Sequence, residues 1–183
     1  MTTTEAQWTP ARPDCPNPEY WHAPDPDSTE MEVSELVGAF VRALQPEIVV
    51  ETGTAWAQTA IQIGTALQAN GHGEAYTLET DPGRVKHCRL ALQGLPVRVV
   101  QQASLDWTPP EGIGFCWFDS LIGLRVPEFH AYASYMRPGA IVGFHDCGPL
   151  HGLRAAVERL ADDGRIRPMY LPTPRGVIFA EVT

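Results

Sequence analysis

The sequence lacks several features that would define a membrane or secreted protein. It contains no apolar run long enough to cross a bilayer, and its start, MTTTEAQWTP, lacks the basic-then-apolar pattern of a signal peptide. Its four cysteines form no CxxC pair, which predicts free thiols in a reduced compartment. These absences predict a cytoplasmic protein without a membrane partner.

Positive charge is also scarce. The chain has 13 Lys and Arg residues against 22 Asp and Glu residues, for a net charge of −9. Because nucleic acids are polyanions, an acidic chain is a poor partner for them. We therefore expect no nucleic-acid partner and a small-molecule ligand instead. The composition leaves homo-oligomer formation open.

Phosphate-binding motifs are absent from residues 47–57, the stretch around which the chain is organised. An apolar run there ends in Glu51, followed by Gly53 and small residues, which predicts a buried strand that turns tightly into a helix. A P-loop would need a lysine nearby. A dinucleotide fingerprint would need glycine where Ala55 and Gln58 stand. The pattern suits a ligand that carries a positive amine, which Glu51 could meet.

The first 28 residues differ from the rest of the chain. They contain six prolines, which predicts an extended arm at 1–28 before a single domain at 29–183. Within the arm, Tyr20-Trp21-His22 could be a lid over the active site or a clip packed on the outside of the core. The clip is the favoured interpretation.

The domain alternates predicted strands and helices. Thr29 and Glu32 predict a capping box for the first helix. Strands are predicted at 47–51, 75–79, 97–100, 113–118 and 140–144, and a helix at 127–136. The last two strands, 166–171 and 177–182, form a predicted hairpin. This order predicts an α/β, Rossmann-like, doubly wound sheet of seven mostly parallel strands with a C-terminal antiparallel hairpin strand.

Polar residues follow the carboxyl ends of these strands, where ligands bind in such sheets. They are Glu51, Glu79, Asp119, His145 and Asp146. Glu79 lies 26 residues after Gly53, where an acid can accept hydrogen bonds from both ribose hydroxyls of NAD or of S-adenosylmethionine (SAM).

Two stretches resemble a known family. Glu51-Thr52-Gly53 resembles the first motif of class I SAM-dependent methyltransferases. Residues 136–146, MRPGAIVGFHD, are similar to the L-x-P-G-G-x-I-V-x-H-D stretch of small bacterial O-methyltransferases related to the macrocin, cephalosporin-tailoring and catechol O-methyltransferases. The resemblance implies methyl transfer from SAM to a small-molecule acceptor, most often at a hydroxyl oxygen. The implied cofactor-binding residues are Glu51, Gly53, Ala55, Trp56, Glu79, Gln102, Ser104 and Asp119. The frequent acid of the adenine loop is Ala103 here, which leaves that contact to Gln102 or Ser104.

The resemblance also implies a catalytic trio, Asp119, His145 and Asp146. In the metal-dependent branch the matching positions bind Mg²⁺, so a divalent metal such as Mg²⁺ or Mn²⁺ is one expectation for this trio. The histidine departs from the usual acid, and Mg²⁺ prefers oxygen ligands. In the second role no metal binds, and His145 acts as general base with a carboxylate orienting its ring. In the third, His145 and Asp146 only end the strand and cap the next helix.

Other interpretations of the same residues stay open. An NAD-type Rossmann enzyme would share the ribose acid, and a non-catalytic SAM-binding partner subunit would share the whole fold. A zinc cluster of His145, Cys147 and His151 could also be drawn, but its spacing matches no standard pattern.

Overall fold

The computed structural model describes residues 15–25, 28–149 and 152–183. Its strands are β1 (Ile48–Thr52), β2 (Glu74–Glu79), β3 (Val97–Gln101), β4 (Ile113–Phe118), β5 (Met136–Phe144), β6 (Ile166–Leu171) and β7 (Val177–Val182). Its α-helices are α1 (Met31–Leu44), α2 (Gln58–Asn70), α3 (Pro82–Ala91), α4 (Arg125–Tyr132) and α5 (Leu153–Asp162). No helix among these described residues is long and apolar enough to span a membrane.

The seven strands form one sheet in the order β3-β2-β1-β4-β5-β7-β6. Strands β1 to β5 pair in parallel, whereas β7 pairs antiparallel with both β5 and β6. The predicted Rossmann-like sheet with its C-terminal hairpin is therefore confirmed. The strand order reverses between β1 and β4, which places the expected ligand crevice at the carboxyl ends of these two central strands.

The core lies on both faces of the sheet. Strand β4 is buried along its whole length, and its side chains alternate between the two faces. Phe115 and Trp117 pack in the cluster that includes residues of α1 and α2, whereas Cys116 and Phe118 pack in the cluster that includes residues of α4 and α5. A strand covered on both faces must be apolar throughout, which explains the uninterrupted run at 113–118.

Several helix ends follow the sequence prediction. Helix α2 ends before Gly71, which has a φ of +76°. Asp81 caps α3 by accepting a hydrogen bond of 2.7 Å from the backbone N–H of Arg84, with Pro82 at the first helical position.

The predicted capping box of α1 is wrong. The N-cap residue is Glu30, and no side chain caps the helix. The hydroxyl of Thr29 instead donates to Asp119 at 2.5 Å, and the Glu32 carboxylate is bonded to the backbone N–H and the ring of His22. Tertiary partners have replaced the local ones.

The predicted helix at 127–136 is displaced. Helix α4 ends at Tyr132, and residues 136–139 begin β5 rather than closing the helix. The pairing of β4 with β5 shifts register between Ile113 and Phe115, and this irregularity accommodates Pro138, which cannot donate to a regular ladder.

Within the described part of the arm, Trp21 and His22 pack against α1 on the outside of the sheet, whereas Ser28 at the end of the arm lines the small cavity near the ends of β1 and β4. Trp21 contacts the cluster that contains Val33 and Val37, and its indole N–H donates to the carbonyl of Pro16 at 3.4 Å. The carbonyl of His22 accepts a hydrogen bond from Met31 at 2.8 Å. These contacts are those of a clip on α1. Residues 1–14 and 26–27 of the predicted arm lie outside the described residues.

Candidate active site

The carboxyl ends of β1, β2, β4 and β5 open into a cavity of about 640 Å³. This volume is within the usual range for small-molecule sites. Its walls include the turn after β1, the end of β2, the loop after β3 and the ends of β4 and β5. All eight cofactor-binding residues predicted from the sequence line this cavity or a small one of about 20 Å³ beside it. Six of them line the main cavity, and Glu51 and Trp56 line only the small one.

The turn after β1 brings two strand ends close together. Gly53 has a φ of +82°, and a Cβ atom there would lie 2.4 Å from the carbonyl oxygen of Asp119. Only glycine fits this close approach. Ala55 and Ala57 follow with φ values of +48° and +69°, a region that L-residues rarely adopt. The two alanines thus form a turn that glycine would form more easily.

Glu51 lies buried beneath this turn. Its carboxyl group accepts a hydrogen bond from the Thr77 hydroxyl, which itself lies 2.6 Å from the hydroxyl of Thr54. Burial, helped by the charges of Asp119 and Glu79, raises the pKa of Glu51 to about 8, although the hydrogen bond from Thr77 opposes the shift. A positively charged group bound nearby would favour ionisation of this acid.

The small cavity beside Glu51 is lined by a second oxygen acceptor, the side-chain amide of Gln58. The Gln58 amide nitrogen donates to the carbonyl of Thr29 at 2.8 Å, but its buried oxygen Oε1 has no hydrogen-bond partner among the described residues. Gln58 and Glu51 both line this cavity. Two oxygen acceptors around a small space suit an ammonium group, which has three N–H donors.

Backbone hydrogen bonds fix the carboxylate of Glu79 at the end of β2. Its carboxylate accepts hydrogen bonds from the backbone N–H groups of Ala55 at 3.0 Å, Thr80 at 2.8 Å and Asp81 at 3.0 Å. A carboxylate has about four lone-pair sites, so it can accept further hydrogen bonds from the cavity side. This fixed geometry suits a ribose diol.

The loop after β3 forms another wall of the main cavity. Gln102 and Ser104 both line it, together with Ala103 and Leu105. The Gln102 side chain donates to the carbonyl of Asp106 at 2.6 Å, and the Ser104 hydroxyl donates to the buried Glu128. The loop is therefore braced by its own side chains.

The predicted trio does converge. One ligand-type atom from each of Asp119, His145 and Asp146 lies within 4.8 Å of the others. The His145 ring is fully buried, with Nδ1 3.0 Å from Asp119 and Nε2 2.6 Å from Glu30. Burial alone would lower its pKa, but the surrounding carboxylates of Asp119, Asp146 and Glu30 raise it to about 10. A pKa this high favours the cationic ring at neutral pH, in which each N–H can donate to one of these carboxylates.

Two arginines complete this cluster. Arg125 is buried and donates from one nitrogen to both Asp119 and Asp146 at 2.9 Å. Arg175 donates two hydrogen bonds to the Asp146 carboxylate, one of 2.6 Å from Nε and one of 3.1 Å from a terminal nitrogen. Burial would raise the pKa of Asp146, but the charges of His145, Arg125 and Arg175 hold it well below its usual range.

A divalent metal does not fit this arrangement. Both oxygens of Asp146 already accept hydrogen bonds from guanidinium groups, and both ring nitrogens of His145 are already within hydrogen-bond distance of carboxylates, those of Asp119 and Glu30. Three acids, Glu30, Asp119 and Asp146, are balanced by three cations, His145, Arg125 and Arg175. A bound ion would add two positive charges beside Arg125 and Arg175, whose guanidinium groups contact the same carboxylates.

The sequence did not reveal four residues of this site: Glu30, Arg125, Glu128 and Arg175. A signal existed for two of them, because Arg125 and Glu128 share a helical face with Phe129 and Tyr132 and are buried with them. Charges on an apolar face indicate buried partners. Arg175 lies in the β6–β7 turn, where an arginine is normally solvated, so no local signal marks it. Of the alternative zinc cluster, His151 lies outside the described residues.

Comparison with known proteins identifies the fold. No protein-family model matches the chain, and no curated protein matches it significantly. Many solved structures do match. An O-methyltransferase from Bacillus cereus in complex with S-adenosylhomocysteine (SAH) superposes with a TM-score of 0.73 at 18% identity, over 86% of this chain and 83% of that one. The O-methyltransferase TomG from Streptomyces achromogenes, involved in tomaymycin synthesis and solved with SAM, superposes with a TM-score of 0.69 at 21% identity, over 85% and 82%. A SAH-bound methyltransferase from Podospora anserina gives 0.73 at 14% identity, over 86% and 80%.

These matches confirm the sequence-based resemblance at the level of the fold. The chain has the Rossmann-like fold of class I SAM-dependent O-methyltransferases, spanning most of each matched structure.

Proposed function

We propose that this protein is a SAM-dependent methyltransferase that transfers a methyl group to a hydroxyl oxygen of a small-molecule acceptor. The observation that carries this proposal is the placement of two acids around one crevice. Glu51, with Gln58 beside it, lines a small space suited to an ammonium group, and Glu79 presents a fixed carboxylate for a ribose diol. In SAM the methionine ammonium and the ribose are joined through the sulfonium, which supplies the electrophilic methyl group.

The chain's own residues would act by holding the reactants. Orientation of two bound reactants can remove roughly 7–11 kcal/mol of a barrier in the best cases. The Gly53 turn permits close approach of the backbone to the cofactor, and Asp119 lies at the junction of the two cavities. Beyond Asp119, Ser120, Leu121 and Ile122 line the end of the main cavity left for an acceptor.

His145 would position the other groups rather than remove a proton. Its two ring nitrogens are bonded to Asp119 and Glu30, and the ring is fully buried, so it has no contact with the cavity. The general-base role predicted from the sequence is therefore less well supported than a positioning role. The same contacts argue against the metal role of the trio.

An NAD-type enzyme is the alternative that the geometry favours less. A pyrophosphate needs close approach of the backbone at the second and third glycine positions of the motif, which are Ala55 and Gln58 here. A buried acid beneath the same turn also disfavours a doubly negative group.

Turnover tests the proposal. The protein is incubated with SAM and a panel of small phenols, alcohols and carboxylic acids, and SAH formation is measured by mass spectrometry. We expect acceptor-dependent SAH formation, and a higher KM for SAM in Glu79→Ala, because the ribose would lose its acceptor. SAM binding without turnover on any acceptor would instead support a non-catalytic partner subunit.

A further inference from the structure

The acceptor end of the main cavity is lined by a cation that the sequence analysis did not single out. Arg175 comes from the β6–β7 turn and lies against Asp146 through two hydrogen bonds, while a quarter of its side chain remains exposed. A third bond, of 3.0 Å, ties it to the carbonyl of Ser28. Arg175 and Asp146 both line the cavity, as do Ser120 and Leu121.

The charge balance of the cavity defines what it can accept. Three arginines line it, Arg84, Arg125 and Arg175, against three acids, Glu79, Asp119 and Asp146, so the formal charges cancel. At neutral pH SAM brings one net positive charge, since its sulfonium adds to a balanced ammonium and carboxylate. A metal would add two more positive charges beside Arg125 and Arg175, whereas an anionic acceptor oxygen would be attracted by Arg175 and by the sulfonium.

Among the residues that the structure describes, no group of the trio at the acceptor end is free to act as a base. His145 donates from both nitrogens and does not reach the cavity. Asp146 accepts from two guanidinium groups, and Asp119 accepts from Thr29, Arg125 and His145. Carboxylates stabilised by this many donors bind protons weakly. With no such base among the described residues, a hydroxyl acceptor would lose its proton to solvent before transfer.

We propose, on the basis of the proposed methyltransferase function, that Arg175 takes the place of a divalent cation and holds the oxyanion of an acidic hydroxyl, as in a phenol or enol. The acceptor oxygen then forms its bond to the methyl carbon as the carbon–sulfur bond breaks, and that electron pair remains on sulfur as neutral SAH. The exposed Leu121 and the neighbouring Ile122 supply an apolar surface for the ring or chain that bears the oxygen.

Metal binding is the first test, because it needs no acceptor. Mn²⁺ is titrated into the protein, with and without SAH, and free Mn²⁺ is followed by electron paramagnetic resonance. We expect no stoichiometric site. One equivalent of bound Mn²⁺ that is lost in Asp119→Asn would overturn the proposal, whatever the enzyme's activity.

Oxyanion binding is the second test. 4-Nitrophenol is titrated into the SAH complex, and its absorbance reports whether the bound form is the phenolate. We expect the phenolate to bind in preference to the phenol, and binding to weaken by at least about tenfold in Arg175→Ala, since a charge-assisted contact is lost. Arg175→Lys should recover part of the lost affinity. The control is Arg167→Ala, which removes an exposed arginine of β6 that pairs with Glu181 and should bind the phenolate as the wild type does.

The outcomes separate this inference from the proposed function. Three outcomes would each overturn the role of Arg175. They are unchanged phenolate binding in Arg175→Ala, preference of the wild type for the neutral phenol, and no binding of 4-nitrophenol by the wild type. Circular dichroism melting checks that each variant is folded. If Arg175→Ala does not fold, the test passes to Arg175→Lys, which should bind the phenolate more weakly than the wild type. SAH affinity, measured on the same samples, should be unchanged. A wild-type protein that does not bind SAH would instead contradict the methyltransferase proposal.

Turnover at varied pH extends the test. Across phenols of different acidity, the rising limb of kcat/KM should follow the pKa of each acceptor, because only the ionised form reacts. A limb fixed at one pH for all acceptors would indicate a base on the enzyme and contradict the proposal.

Discussion

Two alanines in the turn after β1 have a strained backbone conformation that the sequence does not indicate. Ala55 and Ala57 adopt the left-handed conformation in which the Cβ atom crowds the backbone, at a cost of roughly 1–2 kcal/mol per residue. Strained backbone tends to occur at functional sites, where the surrounding structure holds it in place. Ala55 lines both cavities, which fits this tendency.

Replacing Ala55 with glycine should stabilise the fold. The relief of left-handed strain should exceed the entropy cost of glycine, for a net gain of up to about 1 kcal/mol. Chemical denaturation at neutral pH measures the change. The matched control is Ala69→Gly at an exposed position of α2, where glycine should cost about 1 kcal/mol. Equal losses in both variants would show that the turn is not strained.

Glu51 should make the stability of the protein depend on pH. Its pKa is raised from 4.5 to about 8 in the folded state, so the folded state binds more protons than the unfolded state between these values. The stabilisation is fully present below pH 4.5 and is lost as the pH rises towards 8. In Glu51→Gln this loss is absent, so the variant should gain on the wild type by roughly 1.4 kcal/mol per pH unit across this window.

Urea denaturation at a series of pH values between 4.5 and 8 checks this expectation. The pKa of His145 is raised from 6.5 to about 10, so its contribution to stability is lost as the pH rises between these two values. Wild type and Glu51→Gln share this loss, so it does not affect the difference between them. The control is Glu47→Gln at an exposed position one strand length away. A constant difference between Glu51→Gln and the wild type would contradict the assigned burial effect.

At the scale of elements, α4 supports the cavity from below. Glu128 is fully buried on this helix and accepts hydrogen bonds from the hydroxyls of Thr52, Ser104 and Ser120. These hydroxyls belong to the ends of β1 and to the loops after β3 and β4. One carboxylate therefore fixes three segments, two of which line the main cavity.

Glu128→Gln should loosen this support. An amide has one oxygen acceptor where the carboxylate has two, so at least one hydroxyl would lose its partner, at a cost of about 1–3 kcal/mol. The free energy of unfolding and the SAH affinity should both fall. The control is Glu158→Gln on α5, whose exposed pair with Arg154 should contribute less than about 1 kcal/mol. No loss in Glu128→Gln would mean that the three hydroxyls find other acceptors.

Elements were also the level at which the sequence was most informative. Apolar runs and turn residues predicted all seven strands. The signal is clearest for β1 and β4, because a strand buried on both faces needs an apolar composition that a short window reveals. The ends of α1 and α4 were mispredicted, because Thr29, Glu32 and Arg137-Pro138-Gly139 follow local rules that distant contacts override.

At the scale of the whole molecule, the charged cluster joins segments far apart in the chain. Glu30 precedes α1, Asp119 follows β4, His145 and Asp146 follow β5, and Arg175 lies in the last turn. Glu30 also accepts hydrogen bonds from the backbone N–H of Arg175, 145 residues away, at 2.9 Å. The sequence placed the members that end strands, since topology gathers strand ends. It could not place Arg175, whose position depends on how the hairpin closes over the sheet.

Calorimetric titration of SAH and NAD into separate samples of the protein shows whether this crevice binds SAM. We expect one SAH bound per chain, no heat of binding with NAD, and a loss of most SAH affinity in Glu79→Ala, because the cofactor ribose would lose its carboxylate. Binding of NAD with none of SAH would contradict a SAM site in this crevice.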